Sequence, residues 1–462
     1  MSFFLGAGVC LSLFDPLYAA VTTVSGGLKT GYEYSNRDYS QSRRSSSNDN
    51  YSRFVISPLI TITSETERQS LAVEYVPSYW YDIDQHDDKV DHSLSLDYLR
   101  LLTRYWQFSL TDNLRVTDQF NSYGTTVDQK SGDIVSEGPG TDISGDTLRD
   151  QGGRRRYTLN SLDLGTAYTY AQESSVAFDA IWTALRNNDV QSGDNYQDYD
   201  KYDLGTTVTH RYNVRWRSII DAGVVLGRYD SADNSSGYSD SGNSDDVNEY
   251  RTSLLGEYRL TPLHTLSGYY GYNNSDYRGA GTDDWQIHTM HLGWAWRVTP
   301  HLDVNIDAGP TYSKRDGQGG DWNANGAFGL RYLMEKSRFG IKASHGTRMD
   351  NFSGTDQRGA SKFWYLQTDF QHAFTEHISA STYANYSKEE RDESSVFTPS
   401  VSDTTTEHVY AAGGALNYRF LEKYTASLSY GYVHNTSSDE DGDYDDNNIM
   451  MTISYANDLF QW

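Results

Sequence analysis

The stretch Leu302-Asp303-Val304-Asn305-Ile306-Asp307-Ala308-Gly309-Pro310-Thr311-Tyr312-Ser313 has a period of two. Leu302, Val304, Ile306, Ala308, Pro310 and Tyr312 fall on one side, and polar or tiny residues fall on the other. Successive strand side chains point to opposite faces, so this is a strand with one apolar face. Tyr424, Ala426, Leu428, Tyr430 and Tyr432 alternate likewise with Thr425, Ser427, Ser429 and Gly431. Trp364, Leu366, Thr368 and Phe370 alternate with Tyr365, Gln367, Asp369 and Gln371. A half-exposed sheet in water shows the same pattern, so alternation alone does not choose the solvent.

The connections choose it. Short turns occur at Thr261-Pro262-Leu263, Thr299-Pro300, Met334-Glu335-Lys336, Thr375-Glu376 and Leu421-Glu422-Lys423. Between them lie loops rich in Asp, Asn, Ser and Gly. Short turns at one rim and long loops at the other describe a transmembrane barrel. The composition agrees. The chain has 462 residues, 14 % aromatic, with 38 Tyr, 39 Gly and only 8 Pro. Its mean hydropathy is −0.69. Disordered chains are poor in aromatics, and no apolar run after residue 20 approaches the ~18 residues of a membrane helix. Barrel strands need only every second residue apolar.

Residues 1–20 read as a signal peptide: Phe3 to Phe14 is a short apolar core, Asp15-Pro16 breaks it, and Ala19-Ala20 suits cleavage. The single cysteine, Cys10, lies in that segment, so residues 21–462 hold no thiol. The expected fold class is all-β: one transmembrane antiparallel up-and-down barrel of about 20 strands (18–22), with both termini at the periplasmic rim. Pro58 and Pro77 sit inside expected strands and predict either a bulge or a strand boundary misplaced there. Aromatics at strand ends predict interfacial girdles, with Tyr79, Trp80, Tyr81, Tyr105, Trp106, Trp294, Trp296, Phe363 and Trp364 as members.

The formal charge of −25 disfavours nucleic acid. The acids concentrate in loops: Asp82 to Asp91, Asp189 to Asp200, Asp230 to Glu249 and Asp439 to Asp446. These read as solvated loops; the alternative is a surface held to lipopolysaccharide or to ligand through weakly bound divalent cations. No cofactor and no specific metal site is expected. His288 and His291 would share an ion on a helix but diverge on a strand. In Asp439-Glu440-Asp441-Gly442-Asp443 the Gly stands too early for a calcium loop. Hydrolase and nucleotide motifs are absent, so no enzyme is expected.

The longest loop, 119–153, is the third long one, as is the inward-folded loop of general porins; that analogy makes it a candidate constriction. Arg154, Arg155 and Arg156 follow it. They either face Asp128, Asp133 and Glu137 across the lumen, or mark the outer rim and bind lipopolysaccharide phosphate; the sequence leaves both open. Inward residues expected on the cleanest strands are Asp221, Asp303, Asn305, Asp307, Lys342, Gln367, Asp369 and Gln371. This lining suits water and hydrophilic solutes rather than fatty acids.

The turns Tyr258-Arg259-Leu260-Thr261-Pro262 and Trp296-Arg297-Val298-Thr299-Pro300, with the strand Ser427-Leu428-Ser429-Tyr430-Gly431-Tyr432, resemble barrels of the "beta-barrel porin 2" type. Some of those are encoded beside exopolysaccharide machinery. The resemblance implies outer-membrane passage in a Gram-negative bacterium and carries over no site residue. The expectation is a channel for hydrophilic solutes or for export of an extracellular polysaccharide, with periplasmic export proteins as partners. The competing reading is a non-conducting structural or surface-interaction barrel that works through its acidic loops.

The last residues, Asn457-Asp458-Leu459-Phe460-Gln461-Trp462, resemble the closing signal that barrel-assembly machinery recognises, with Asn457 where Gly is usual. Ile449, Met451, Ile453 and Tyr455 have the opposite parity to Phe460 and Trp462. A bulge near Asn457-Asp458 would turn both sets to lipid.

Overall fold

The computed structural model describes residues 21–39, 50–118, 125–127, 134–136, 156–188, 197–229, 246–278, 283–353, 358–392, 404–438 and 443–461. The segment 1–20, most of 119–153, Asp128, Asp133, Glu137, Arg154, Arg155 and Trp462 lie outside the described residues. The strands are β1 Val21–Tyr39, β2 Tyr51–Glu65, β3 Gln69–Asp82, β4 Asp87–Thr103, β5 Trp106–Thr117, β6 Thr125–Val127, β7 Ile134–Ser136, β8 Arg156–Ala171, β9 Ser174–Asn188, β10 Tyr199–Arg211 and β11 Trp216–Tyr229. They continue as β12 Val247–Thr261, β13 His264–Tyr277, β14 Trp285–Thr299, β15 Leu302–Arg315, β16 Gly320–Leu333, β17 Ser337–Met349, β18 Ala360–Ala373, β19 Ile378–Asp392, β20 Thr404–Phe420, β21 Tyr424–Ser437 and β22 Tyr444–Gln461.

Strands β6 and β7 pair only with each other. The rest form one 20-stranded antiparallel sheet, closed where β1 pairs with both β2 and β22. Both described ends lie at the short-turn rim, since Val21 pairs with Glu65 and Thr23 with Gln461. A ring of this strand number, at ~4.8 Å spacing and ~40° tilt, is about 40 Å across between backbones.

The short turns are built by their first residue. Thr103 Oγ1 accepts from the N–H groups of Tyr105 and Trp106 at 3.2 and 3.1 Å. Thr261 does the same for Leu263 and His264 at 3.2 and 3.1 Å, and Thr375 for His377 and Ile378 at 3.1 and 3.0 Å. The hydroxyl takes up N–H groups that the ladder cannot, which is why Thr recurs there. The long-loop rim is less regular than expected. Two of its connections, 83–86 and 316–319, are tight turns. The acidic stretch from Asp82 is therefore strand rather than loop beyond His86, because β4 begins at Asp87 and pairs with β3 from its first residue.

Directly opposed residues share a face. Asn305, Gly329, Lys342, Gln367 and Asn385 form one row across β15 to β19. Ile306, Phe328, Ala343, Leu366 and Tyr386 form the next row, on the other surface. Ile306 and Leu366 are exposed there, as are Leu28, Phe54, Leu292 and Met451 on the same side of their strands. An apolar outer surface on a closed barrel faces lipid, so the polar surface is the lumen. Outward Tyr105, Trp106, Tyr168, Tyr212 and Trp216 ring the short-turn rim, and Tyr79, Tyr81, Tyr202, Tyr250 and Trp364 the other. Trp80 and Phe363 do not belong to the girdle. Each has the inward parity of its strand and is buried in the lumen.

The expected bulge at Pro58 and Pro77 is absent. The ladder between β2 and β3 lapses after Ile56–Tyr79 and resumes unshifted at Ile60–Tyr75. The prolines face each other, so both strands lose a donor at one level and neither needs an extra residue. The bulge at the C-terminus is present. Asp458 pairs with Ser25 and Phe460 with Val24, leaving Leu459 as the additional residue. Phe460 thereby faces outward, with Ile449, Met451 and Ile453.

Candidate functional site

The outer end of the lumen is crossed by the connection between β17 and β18, here called the strap. Its base closes where the Asp350 N–H donates to the Gly359 carbonyl at 2.8 Å. Its described residues reach β10 to β13, well round the ring. Phe352, 1 % exposed, packs 5.5 Å from the Tyr199 ring and 6.0 Å from the Tyr229 ring. A Cβ at Gly227 would lie 2.7 Å from Phe352, so this strand position must stay bare. Asn351 is the polar anchor. Its Nδ2 donates to Glu249 Oε1 at 2.5 Å and to Ser275 Oγ at 3.3 Å. Its Oδ1 accepts from the Tyr277 hydroxyl at 2.5 Å and its carbonyl accepts from the Tyr229 hydroxyl. The Arg358 guanidinium lies 3.5 Å over Tyr229 and donates to Gln197.

The wall that receives the strap is the main apolar cluster of the described residues. Tyr157, Leu185, Val225, Val247, Trp285 and Ile287 point inward from β8 to β14 around Tyr199, Tyr229 and Tyr277. On the other side of the mouth the wall is charged. Arg53 lies between Tyr51 and Trp80, 3.9 and 3.8 Å from their rings, and pairs with Asp118 at 2.8 Å. Arg37 pairs with Asp446 at 2.9 Å. Arg348 meets Glu389 at 3.4 Å, and Arg391 meets Glu407 at 3.4 Å.

Below the strap the lumen is lined by carboxylates. Asp163, Asp179, Asp203 and Asp221 stand on β8 to β11, all with inward parity. Asp221 accepts from Thr207 at 2.7 Å and Ser253 at 3.0 Å, while Asp203 pairs with Arg251 at 2.6 Å. Asp307 faces His291 at 3.2 Å. Lys29, Arg115 and Lys342 make no ion pair with a described residue. Lys29 and Arg115 look into one recess, with Ser57, Ser78 and Ser93 between them.

The expected lumen residues Asp221, Asp303, Asn305, Asp307, Lys342, Gln367, Asp369 and Gln371 all have inward parity. Seven of them share one sector of the wall, on β15, β17 and β18, where Asn305, Lys342 and Gln367 stand in one row, and Asp221 stands apart on β11. Arg156 is at the outer rim, where it donates to Asp91 at 3.0 Å and to the Val90 carbonyl. His288 faces outward against Tyr270 and His291 inward against Asp307, so the two diverge as the spacing implied. The strap, and the wall acids Asp163, Asp179 and Asp203, escaped the sequence reading. The acids carry a signal: each alternates with outward apolar residues, such as Leu162 and Leu164 around Asp163.

No protein-family model and no curated protein matches the chain. Solved structures do. The Pseudomonas aeruginosa ferric enterobactin receptor PfeA is similar at 10 % identity and a TM-score of 0.52, over 94 % of this chain and 81 % of that one. The siderophore receptor PirA of the same organism gives 10 %, 0.50, 94 % and 80 %. The outer membrane protein OpdK, also from P. aeruginosa, gives 11 %, 0.44, 95 % and 99 %. By fold, the chain is an outer-membrane β-barrel. The sharing stops at the fold, since these identities leave no side chain to transfer.

Proposed function

We propose that the chain is an outer-membrane channel of a Gram-negative bacterium, passing small hydrophilic solutes through a lumen narrowed at its outer mouth by the strap. One observation carries this reading: a ring of 20 strands lined with carboxylates, crossed by a single short anchored segment among the described residues. A ring about 40 Å across is far wider than one packed chain segment. The acid lining, with few unpaired cations, favours cations and polyhydroxylated solutes. Passage of a polysaccharide would use the same lumen with the strap displaced, and periplasmic export proteins would then be the partners. The acidic outer loops would hold lipopolysaccharide through divalent cations, and the terminal strand with Asn457, Phe460 and Trp462 would serve the assembly machinery. The test is conductance of the purified chain in planar bilayers under a salt gradient. Steady current with a cation-side reversal potential is expected; persistent silence would support the non-conducting surface barrel instead.

A further inference from the structure

The chain carries a formal charge of −25, yet one side of its short-turn rim is basic. From β10 to β17, Arg211, Arg217, Arg259, Arg297, Arg331 and Arg338 stand within a few residues of the short turns. All have inward parity: Arg217 opposes Arg211 and Glu257, Arg331 opposes Asp303 and Gly340, and Arg338 opposes Gln371. Arg297 opposes Asp303 and Arg259 opposes Thr265 on the same surface. The acids of this sector are already engaged or outnumbered. Glu173 pairs with Arg211, and Glu257 with Arg217. Asp303 is shared by Arg297 and Arg331. Asp369 stands at the β18 edge opposite Gly340, and Glu335 and Lys336 offset each other in one turn. Arg259 and Arg338 are exposed and make no ion pair with a described residue. Higher up, the wall turns acidic with Asp163, Asp179, Asp221 and Asp307.

We propose that this arginine arc is the docking surface for an acidic, extended segment of a periplasmic protein. Short turns mark the periplasmic rim, so lipopolysaccharide lies at the other end of the barrel. Inward parity turns the guanidinium groups away from lipid headgroups. Guanidinium forks hold carboxylates through paired hydrogen bonds, which sets the chemistry of the partner. The spacing fits a peptide. At ~4.8 Å between strands and ~40° tilt, positions along the rim repeat about every 6 Å, and same-face side chains of an extended chain repeat about every 6.6 Å. An acidic chain laid along the rim therefore offers one carboxylate to each strand it passes. The surplus charge is spread along the arc rather than focused on one point, which suits a chain rather than a single small anion. The acidic wall above repels a polyanion, so the segment stops at the mouth. The surface exists whether or not the barrel conducts.

The test is fluorescence anisotropy on the detergent-folded full chain, with a labelled glutamate peptide of about 12 residues, long enough to follow most of the arc. The peptide should bind, and raising the salt from about 0.05 M to about 0.5 M should weaken binding about ten-fold or more. Arg259→Glu with Arg338→Glu should weaken it comparably at low salt while the barrel keeps its heat-modifiable gel mobility. The milder Arg259→Gln with Arg338→Gln should fall between that pair and the unaltered chain. Lys89→Gln, which removes an inward cation at the outer mouth, should leave binding unchanged. No binding, or binding that survives both arginine pairs, overturns the proposal. So does an equal loss in Lys89→Gln. Tighter binding of polygalacturonate at equal carboxylate concentration would give the arc to an acidic polysaccharide and overturn the peptide as its occupant.

Discussion

The lumen makes the same ion pair at both ends, in two different settings. At the outer mouth, Arg53 and Asp118 are 7 % and 10 % exposed, held between aromatic rings and joined at 2.8 Å. Towards the short-turn rim, Arg297 and Arg331 flank Asp303 at 3.4 and 3.1 Å, with both arginines 63 % exposed. One end is packed like a protein interior; the other is a solvated vestibule. Buried charge without its partner is costly, whereas a hydrated pair is nearly free to break. The outer end is thus where the chain spends its packing, and where the proposed channel would be narrowest.

The comparison can be broken in four places. Phe352→Ala removes the apolar anchor of the strap, a loss of about 3–5 kcal/mol at that site. The barrel wall should stay intact and the open-channel current should rise. Asp118→Ala removes the hydrogen-bonded carboxylate of the buried Arg53 guanidinium and leaves it only Asp82 at 3.7 Å, which should cost about 1.5–3 kcal/mol, read from denaturant unfolding of the detergent-folded barrel. Asp179→Asn with Asp221→Asn should leave stability and conductance almost unchanged and move the reversal potential towards zero. Asp303→Ala should shift stability by no more than ~1 kcal/mol, since its partners stay hydrated. A loss at Asp303 as large as that at Asp118 would show that the two ends are built alike.

The barrel was legible because period-two alternation is a local signal, repeated strand after strand. Leu302 to Ser313 declares its two faces without reference to any other segment. The parity clash at the C-terminus likewise announced its bulge, now placed at Leu459. The strap was not legible. Asn351 and Phe352 read as loop residues, and their partners Glu249, Tyr229 and Tyr199 lie a hundred or more positions away. Nothing local distinguishes a Phe that will cross a lumen from one that will not. Loop length pointed instead to 119–153, most of which lies outside the described residues. Trp80 was assigned to the girdle because it sits between Tyr79 and Tyr81; alternation sends it inward, under Arg53.

The central claim is that water and solute pass through this barrel beside a pinned strap. Its most direct test is single-channel recording of the full chain and of Phe352→Ala, side by side in planar bilayers. The account predicts steady, cation-preferring conductance from the first and a larger conductance from the second. Silence from both folded proteins would contradict it.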